Sequence, residues 1–210
     1  MGNKNNRGGK EAPRAATVYA EKKLAEKQLA EKKQAEKLAL EKEKAEEFVK
    51  NRIPPHDSIA IEQVGDSMNL VIDLDLINKG FIVDMPSLLE TLPMYAPFIG
   101  DVTIRLYAPA KYRSRAIYSN LIAKMNQMVD VLNQFELNKL DVIIGLNSDD
   151  FLQMKLAAFV HGIKFKKWTM SYHIFDQQGE TSFTANVKRG SSYGRRLYGV
   201  YKAEFQTQKG

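Results

Sequence analysis

Cysteine is absent from the 210 residues, which excludes disulfides, thiolate nucleophiles and cysteine-ligated zinc or iron–sulfur centres. A reducing setting follows as the expectation, intracellular and either cytoplasmic or nuclear. Histidine is almost as scarce. His56, His161 and His173 are spread along the chain without metal-ligand spacing, so neither a metal nor any other cofactor is expected. His161, just before Gly162, suits the C-terminus of a helix, where a cation meets the negative end of the dipole. No apolar run approaches 18 residues and no signal-peptide core is visible, so neither membrane spanning nor secretion is expected. Walker, Rossmann and kinase glycine patterns are also missing.

What is present is charge, unevenly placed. The formal net charge is +6, yet residues 1–19 carry +3, 20–50 carry +1, 51–186 carry −3 and 187–210 carry +5. The basic character belongs to the two ends, which suits an anionic partner or serves solubility.

Residues 1–17 hold almost nothing to bury and read as a disordered basic tail. Gly2 is a candidate acylation site. Asn6 departs from the Met-Gly-x-x-x-Ser/Thr pattern, while Lys4, Arg7, Lys10 and Arg14 would supply the basic second signal that a single acyl chain needs. A membrane partner is expected only if Gly2 is acylated. Residues 18–52 read as a long charged helix. Ala-Glu-Lys recurs every five residues from Ala20, Ala25, Ala30 and Ala35. Five residues advance a helix by about 140°, so Leu24 and Leu29 fall on different faces and no heptad seam forms. Lysine and glutamate meet at i,i+4 instead, as in Lys27 with Glu31 and Lys37 with Glu41. Such a segment is a solvated spacer of roughly 45 Å. Residues 53–57 form a linker in which Pro54 and Pro55 stop the helix.

Residues 58–210 read as one domain. Two segments, 59–64 and 69–76, flank Gly65-Asp66-Ser67 as a hairpin. After Pro86, the pattern Ser87-Leu88-Leu89-Glu90 resembles a capping box opening a short helix. The centre is a βαβ unit. Val102, Ile104 and Leu106 alternate with polar neighbours, an amphipathic helix spans 115–134, and 140–146 is almost unbroken apolar strand. Tyr118, Leu121, Met125, Met128, Leu132 and Phe135 line the helix stripe, with Ser114 as N-cap and Asn126, Asp130, Asn133 and Gln134 on its wet side. A second helix is expected over 149–161, capped by Ser148 and Gly162, burying Leu152, Leu156, Phe159 and Val160. Strands over 167–175 and 181–185 and a short helix over 193–205 complete the chain. The fold class is therefore α/β or α+β: a mixed sheet of about six strands, mainly two-layer, behind a long solvated N-terminal helix.

Three groups of residues invite a chemical reading. Gly190-Ser191-Ser192-Tyr193-Gly194 matches G-x-S-x-G between a strand and a helix, but neither Asp nor His follows Ser192, so the hydrolase triad is incomplete. The same loop beside Arg195 and Arg196 suits an anion. Asp73 and Asp75 share one side of a strand, and without a third ligand they read as a polar face. Lys188, Arg189, Arg195, Arg196 and Lys202, interleaved with Tyr193, Tyr198 and Tyr201, carry the strongest signal. Cations hold phosphates while aromatic faces stack on unpaired bases.

Residues 132–142 (Leu-Asn-Gln-Phe-Glu-Leu-Asn-Lys-Leu-Asp-Val), with 153–158 and 165–168, resemble segments of uncharacterised fungal proteins of this size. That resemblance rests on core positions and implies no activity or site. The reading reached is a non-enzymatic interaction or scaffold protein that presents an α/β domain to a protein partner. The alternative is an RNA- or single-stranded-DNA-binding protein using the C-terminal basic-aromatic segment. No small-molecule substrate is evident.

Overall fold

The computed structural model describes residues 12–65, 67–76, 84–109, 111–112, 114–147, 151–175, 181–188 and 190–208. Gly2, Asp66, Ser148, Asp149, Arg189 and the 176–179 turn lie outside them. The chain divides into two units, 1–51 and 52–210.

The first unit is the helix α1, Ala12–Arg52, whose end crosses into the second. It starts earlier than composition suggests: Pro13 stands in its first turn, where the missing amide hydrogen costs nothing. Residues 12–17, expected to be disordered, are thus helical. Lys27–Glu31 and Lys37–Glu41 stand at 3.8 Å as exposed i,i+4 pairs, worth a few tenths of a kcal/mol each. Leu24, Leu29 and Leu38 are 57%, 55% and 69% exposed, while Val49 near the end of the helix is buried. No helix is long and apolar enough to cross a membrane among the described residues.

The second unit is α+β. Its strands are β1 Ile59–Val64, β2 Ser67–Asp75, β3 Asp101–Tyr107, β4 Lys139–Leu146, β5 Lys167–Phe175 and β6 Thr181–Asn186, hydrogen-bonded in sequence order as one mixed sheet. β2 to β5 run parallel, and β1 and β6 add antiparallel edges. Gly65, at φ +59°, turns β1 into β2, a conformation that costs glycine little. The helices are α2 Met85–Thr91, α3 Arg115–Leu132, α4 Phe151–Met154 and α5 Ser192–Val200. Each parallel crossover steps one strand in the same direction. Right-handed connections therefore place α2, α3 and α4 on one face of the sheet. α3 packs on α2 and on the 3₁₀ helix Lys155–Gly162 that follows α4, and α5 packs on that same 3₁₀ helix, in agreement with a single layer.

Register decides which side chains meet it. Leu70, Ile72 and Leu74 align with Val102, Ile104 and Leu106, then with Leu140, Val142 and Ile144, and all nine are buried. The opposite face carries Asn69, Asp73, Asp75, Thr103, Arg105 and Asp141. Val71 is only 1% exposed on that polar face. Register explains it: the Arg105–Glu62 pair, 3.0 Å apart, reaches across β2 directly above Val71. Beside it Asn69 Nδ2 donates to Thr103 Oγ1 at 3.1 Å, which satisfies two buried polar groups.

Four local expectations need correction. Asp84, not Ser87, caps α2: its carboxylate accepts from Ser87 N at 3.2 Å, with Pro86 in the first turn. Asn126, expected to be wet, is 8% exposed and donates to the Phe205 carbonyl at 3.2 Å. Leu152 is 43% exposed, because only one α-turn forms before the chain tightens to a 3₁₀ helix over Lys155–Gly162. That tightening aligns i and i+3 rather than i and i+4, and Gln153, Leu156 and Phe159 turn inward together. Gly162 does not cap in the left-handed region. A Cβ there would lie 3.0 Å from Val129 Cγ1 and 3.1 Å from the Tyr201 hydroxyl, so its role is close approach. Gly162→Ala should therefore lower stability by about 1 kcal/mol, read as a fall in the urea midpoint at unchanged slope.

Candidate functional site

α5 is a short helix held by its ends. Ser191 caps it, accepting from Gly194 N at 3.1 Å and donating to the Lys188 carbonyl at 2.6 Å. Leu197 and, in the π-helical extension Tyr201–Phe205, Phe205 are fully buried. With two anchors about two turns apart, the remaining side chains must leave on either side.

The helix accordingly divides the basic and aromatic residues that sequence groups together. On one flank Arg196 lays its guanidinium 3.8 Å above the Phe151 ring, and Tyr193 stacks on the same ring at 6.1 Å and approaches Tyr172 at 5.9 Å. Arg196 thereby covers a buried phenylalanine, a use that neither a phosphate nor a base requires. On the other flank lie Arg195, Tyr198 and Lys202, spaced by three and four, all exposed. Lys202 Nζ stands 4.7 Å above the Tyr198 ring. Lys188 is exposed before the cap.

From Tyr198 a row of rings continues away from α5. His161 meets Tyr198 edge-on at 5.4 Å and Trp168 at 6.0 Å, and Trp168 stacks on Phe165 at 5.9 Å with an interplanar angle of 24°. Tyr201 supports the row from below, 6.0 Å from His161 and 6.3 Å from buried Phe205. Trp168 sits on the rim because the register of β6 ends at Asn186 opposite Ser171, leaving the start of β5 with β4 alone. Lys164 and Lys166 border the Phe165 end, both exposed. Lys166 Nζ donates to Asn138 Oδ1 at 2.7 Å, and the Lys164 amide to Asn133 Oδ1 at 2.7 Å. The corner therefore has Lys164 and Lys166 at one end, Arg195 and Lys202 at the other, and four rings between. Sequence reasoning missed His161, Phe165 and Trp168. The run Lys-Phe-Lys-Lys-Trp over 164–168 is a local signal that could have found part of it.

No protein-family model, curated protein or solved structure matches this chain. Function must be argued from the side chains themselves.

The remaining candidates do not assemble. Ser192 is the exposed first residue of α5, and the capping hydroxyl belongs to its neighbour Ser191. Asp73 and Asp75 lie half-buried on the polar sheet face, where no group of three metal-capable side chains occurs among the described residues. His56 Nδ1 accepts from Ser58 N at 3.0 Å, and His173 lies between Ser171 and Thr184, at 3.4 and 3.2 Å. A shallow cavity of about 550 Å³ lies between residues 96–100 and Gln134, Glu136 and Asn138, at the end of the sheet where β3 and β4 begin.

One further cluster ties α5 to the domain. The Tyr118 hydroxyl donates to Glu204 Oε2 at 2.5 Å, Lys155 Nζ lies 3.3 Å from Glu204 Oε1, and Tyr112 packs on Tyr118 at 4.8 Å. Burial, then the hydrogen bond to Glu204 and its negative charge, hold the Tyr118 phenol far above its ordinary value. Burial alone pushes Tyr112 up to about 12.

Proposed function

We propose that this is a non-enzymatic interaction protein, an α+β domain on a helical spacer that binds an anionic macromolecule at the corner between α5 and the start of β5. The observation that carries it is the placement of Lys164, Lys166, Arg195 and Lys202, all exposed, around one row of rings. The acid in the π-helical extension of α5, Glu204, is already engaged by Tyr118 and Lys155 and faces away from that flank. Positive charge therefore stands on this corner within a domain whose residues 51–186 are net negative. Such a patch attracts closely spaced negative charge and releases counterions when it binds.

The test is fluorescence anisotropy of labelled heparin with the full chain at 50 and 200 mM salt. Three to four ionic contacts should weaken binding by about 40- to 150-fold across that range. Arg195→Ala with Lys202→Ala should weaken it about tenfold at 50 mM and flatten the salt dependence by roughly two contacts. The basic N-terminal tail is intact in that variant. Affinity unmoved by the double substitution would place the binding elsewhere and sink the proposal.

A further inference from the structure

We propose that the corner accepts single-stranded nucleic acid, with unpaired bases seated along Phe165, Trp168 and Tyr198 and phosphates held by Lys164, Lys166, Arg195 and Lys202. This rests on the polyanion reading and goes one step further, from charge to the shape of the ligand. Cations alone would suit any polyanion; the rings between them would not be needed. A row of partly exposed rings offers flat π surface, and the ligand that combines dense negative charge with flat π surface is an unpaired strand. A duplex keeps its base faces covered and is read through its grooves by an inserted helix or ribbon. Here α5 and its π-helical extension are tied down on both sides, by Arg196 over Phe151 and by Glu204 on Tyr118, and α5 adds Tyr198 to a ring row rather than standing out as a protruding element.

The spacing points the same way. Successive rings are 5.9, 6.0 and 5.4 Å apart from Phe165 through Trp168 and His161 to Tyr198. At these separations the rings touch one another and leave no room for a base between two of them, so each base is seated singly on an outward ring face. Tyr198 is 46% exposed, with the Tyr201 ring stacked on it at 6.4 Å and the Lys202 ammonium, carried on a flexible stem, 4.7 Å over the ring. An incoming base takes the ring face while that ammonium moves to the adjoining phosphate. The cation–π contact is exchanged for a base stack and a phosphate contact.

Trp168 is the sole tryptophan, so emission excited selectively at tryptophan reports on this corner alone. The experiment titrates the full chain at low salt with a dT12 strand, a blunt duplex and inorganic polyphosphate, which carries the charge without bases. The expected result is saturable quenching of Trp168 by dT12, with neither the duplex nor polyphosphate reproducing it. Tyr198→Ala should weaken dT12 about tenfold and leave polyphosphate within twofold, while Tyr198→Phe, which keeps the ring, should restore dT12 binding. Polyphosphate or the duplex bound as tightly as dT12 without quenching would overturn the single-strand assignment and leave the polyanion reading standing. Binding of none of them would overturn both. Quenching by dT12 indifferent to Tyr198→Ala would also overturn the proposed seat.

Discussion

Replacing Phe205 with alanine should lower the unfolding free energy by about 3–5 kcal/mol, a large part of the 5–15 kcal/mol that holds a domain of this kind together. Phe205 has no exposed surface. Its ring stacks on Tyr201 at 6.3 Å, and its carbonyl receives the Asn126 side chain from α3. The π-helical turn over Tyr201–Phe205 widens the helix where this contact is made, so Phe205 enters the core while Glu204 still reaches Tyr118. Truncation leaves a cavity between α5 and α3 that a fixed backbone cannot close. The loss should spread to Tyr198 and Lys202, so the variant should also bind polyanions more weakly once corrected for unfolded protein. Urea unfolding followed by circular dichroism measures the first effect, and anisotropy measures the second. Leu24→Ala on solvated α1 is the control, expected within 0.5 kcal/mol of the parent. A Phe205→Ala variant within 1 kcal/mol of the parent would show that the end of α5 is not anchored.

Much of the scaffold is legible in the sequence because its signals are local. The three- and four-residue spacing of Leu121, Met125, Met128 and Leu132 can only be a one-sided helix, and all four are buried. The apolar run of β4 can only be an interior strand, and it pairs on both sides. What escapes is set by distant partners. Asn126 reads as polar and therefore wet, yet its amide is satisfied by a carbonyl 79 positions away, which no helical wheel contains. Gly162 reads as a cap, but the side chains that crowd it come from α3 and the C-terminal turn. The basic-aromatic segment is the instructive case. Spacing along 188–202 shows the residue types, whereas docking of α5 commits Arg196 and Tyr193 to Phe151 and brings Tyr198 against His161, through which the row continues to Trp168 and Phe165. Composition reveals that a basic-aromatic patch exists. Which rings compose it depends on packing.

Alkaline pH should destabilise the domain beyond what unfolded-like tyrosines would allow. An unfolded phenol ionises near pH 10. The folded Tyr112 phenol is pushed up to about 12 by burial, and Tyr118 is raised further by burial and by the carboxylate it donates to. Below pH 10 both states hold these protons, so the contribution is fully present and pH-independent. Above pH 10 the unfolded chain loses protons that the folded one keeps, so stability falls with each step and continues to fall until the folded phenols ionise. Two pH units of separation at Tyr112 correspond to about 2 kcal/mol by pH 12, after allowing for the part of the ring that water reaches. Urea midpoints at pH 8, 10, 11 and 11.5 should trace the decline. The diagnostic comparison is with Tyr112→Phe, Tyr118→Phe and the double variant. Tyr118→Phe should cost about 1 kcal/mol at pH 8, where it removes a donor from Glu204. The double variant should lose most of the slope above pH 10. A parent chain as stable at pH 11.5 as at pH 9 would mean that these phenols are open to water and that the clasp between Tyr118 and Glu204 is not closed in solution.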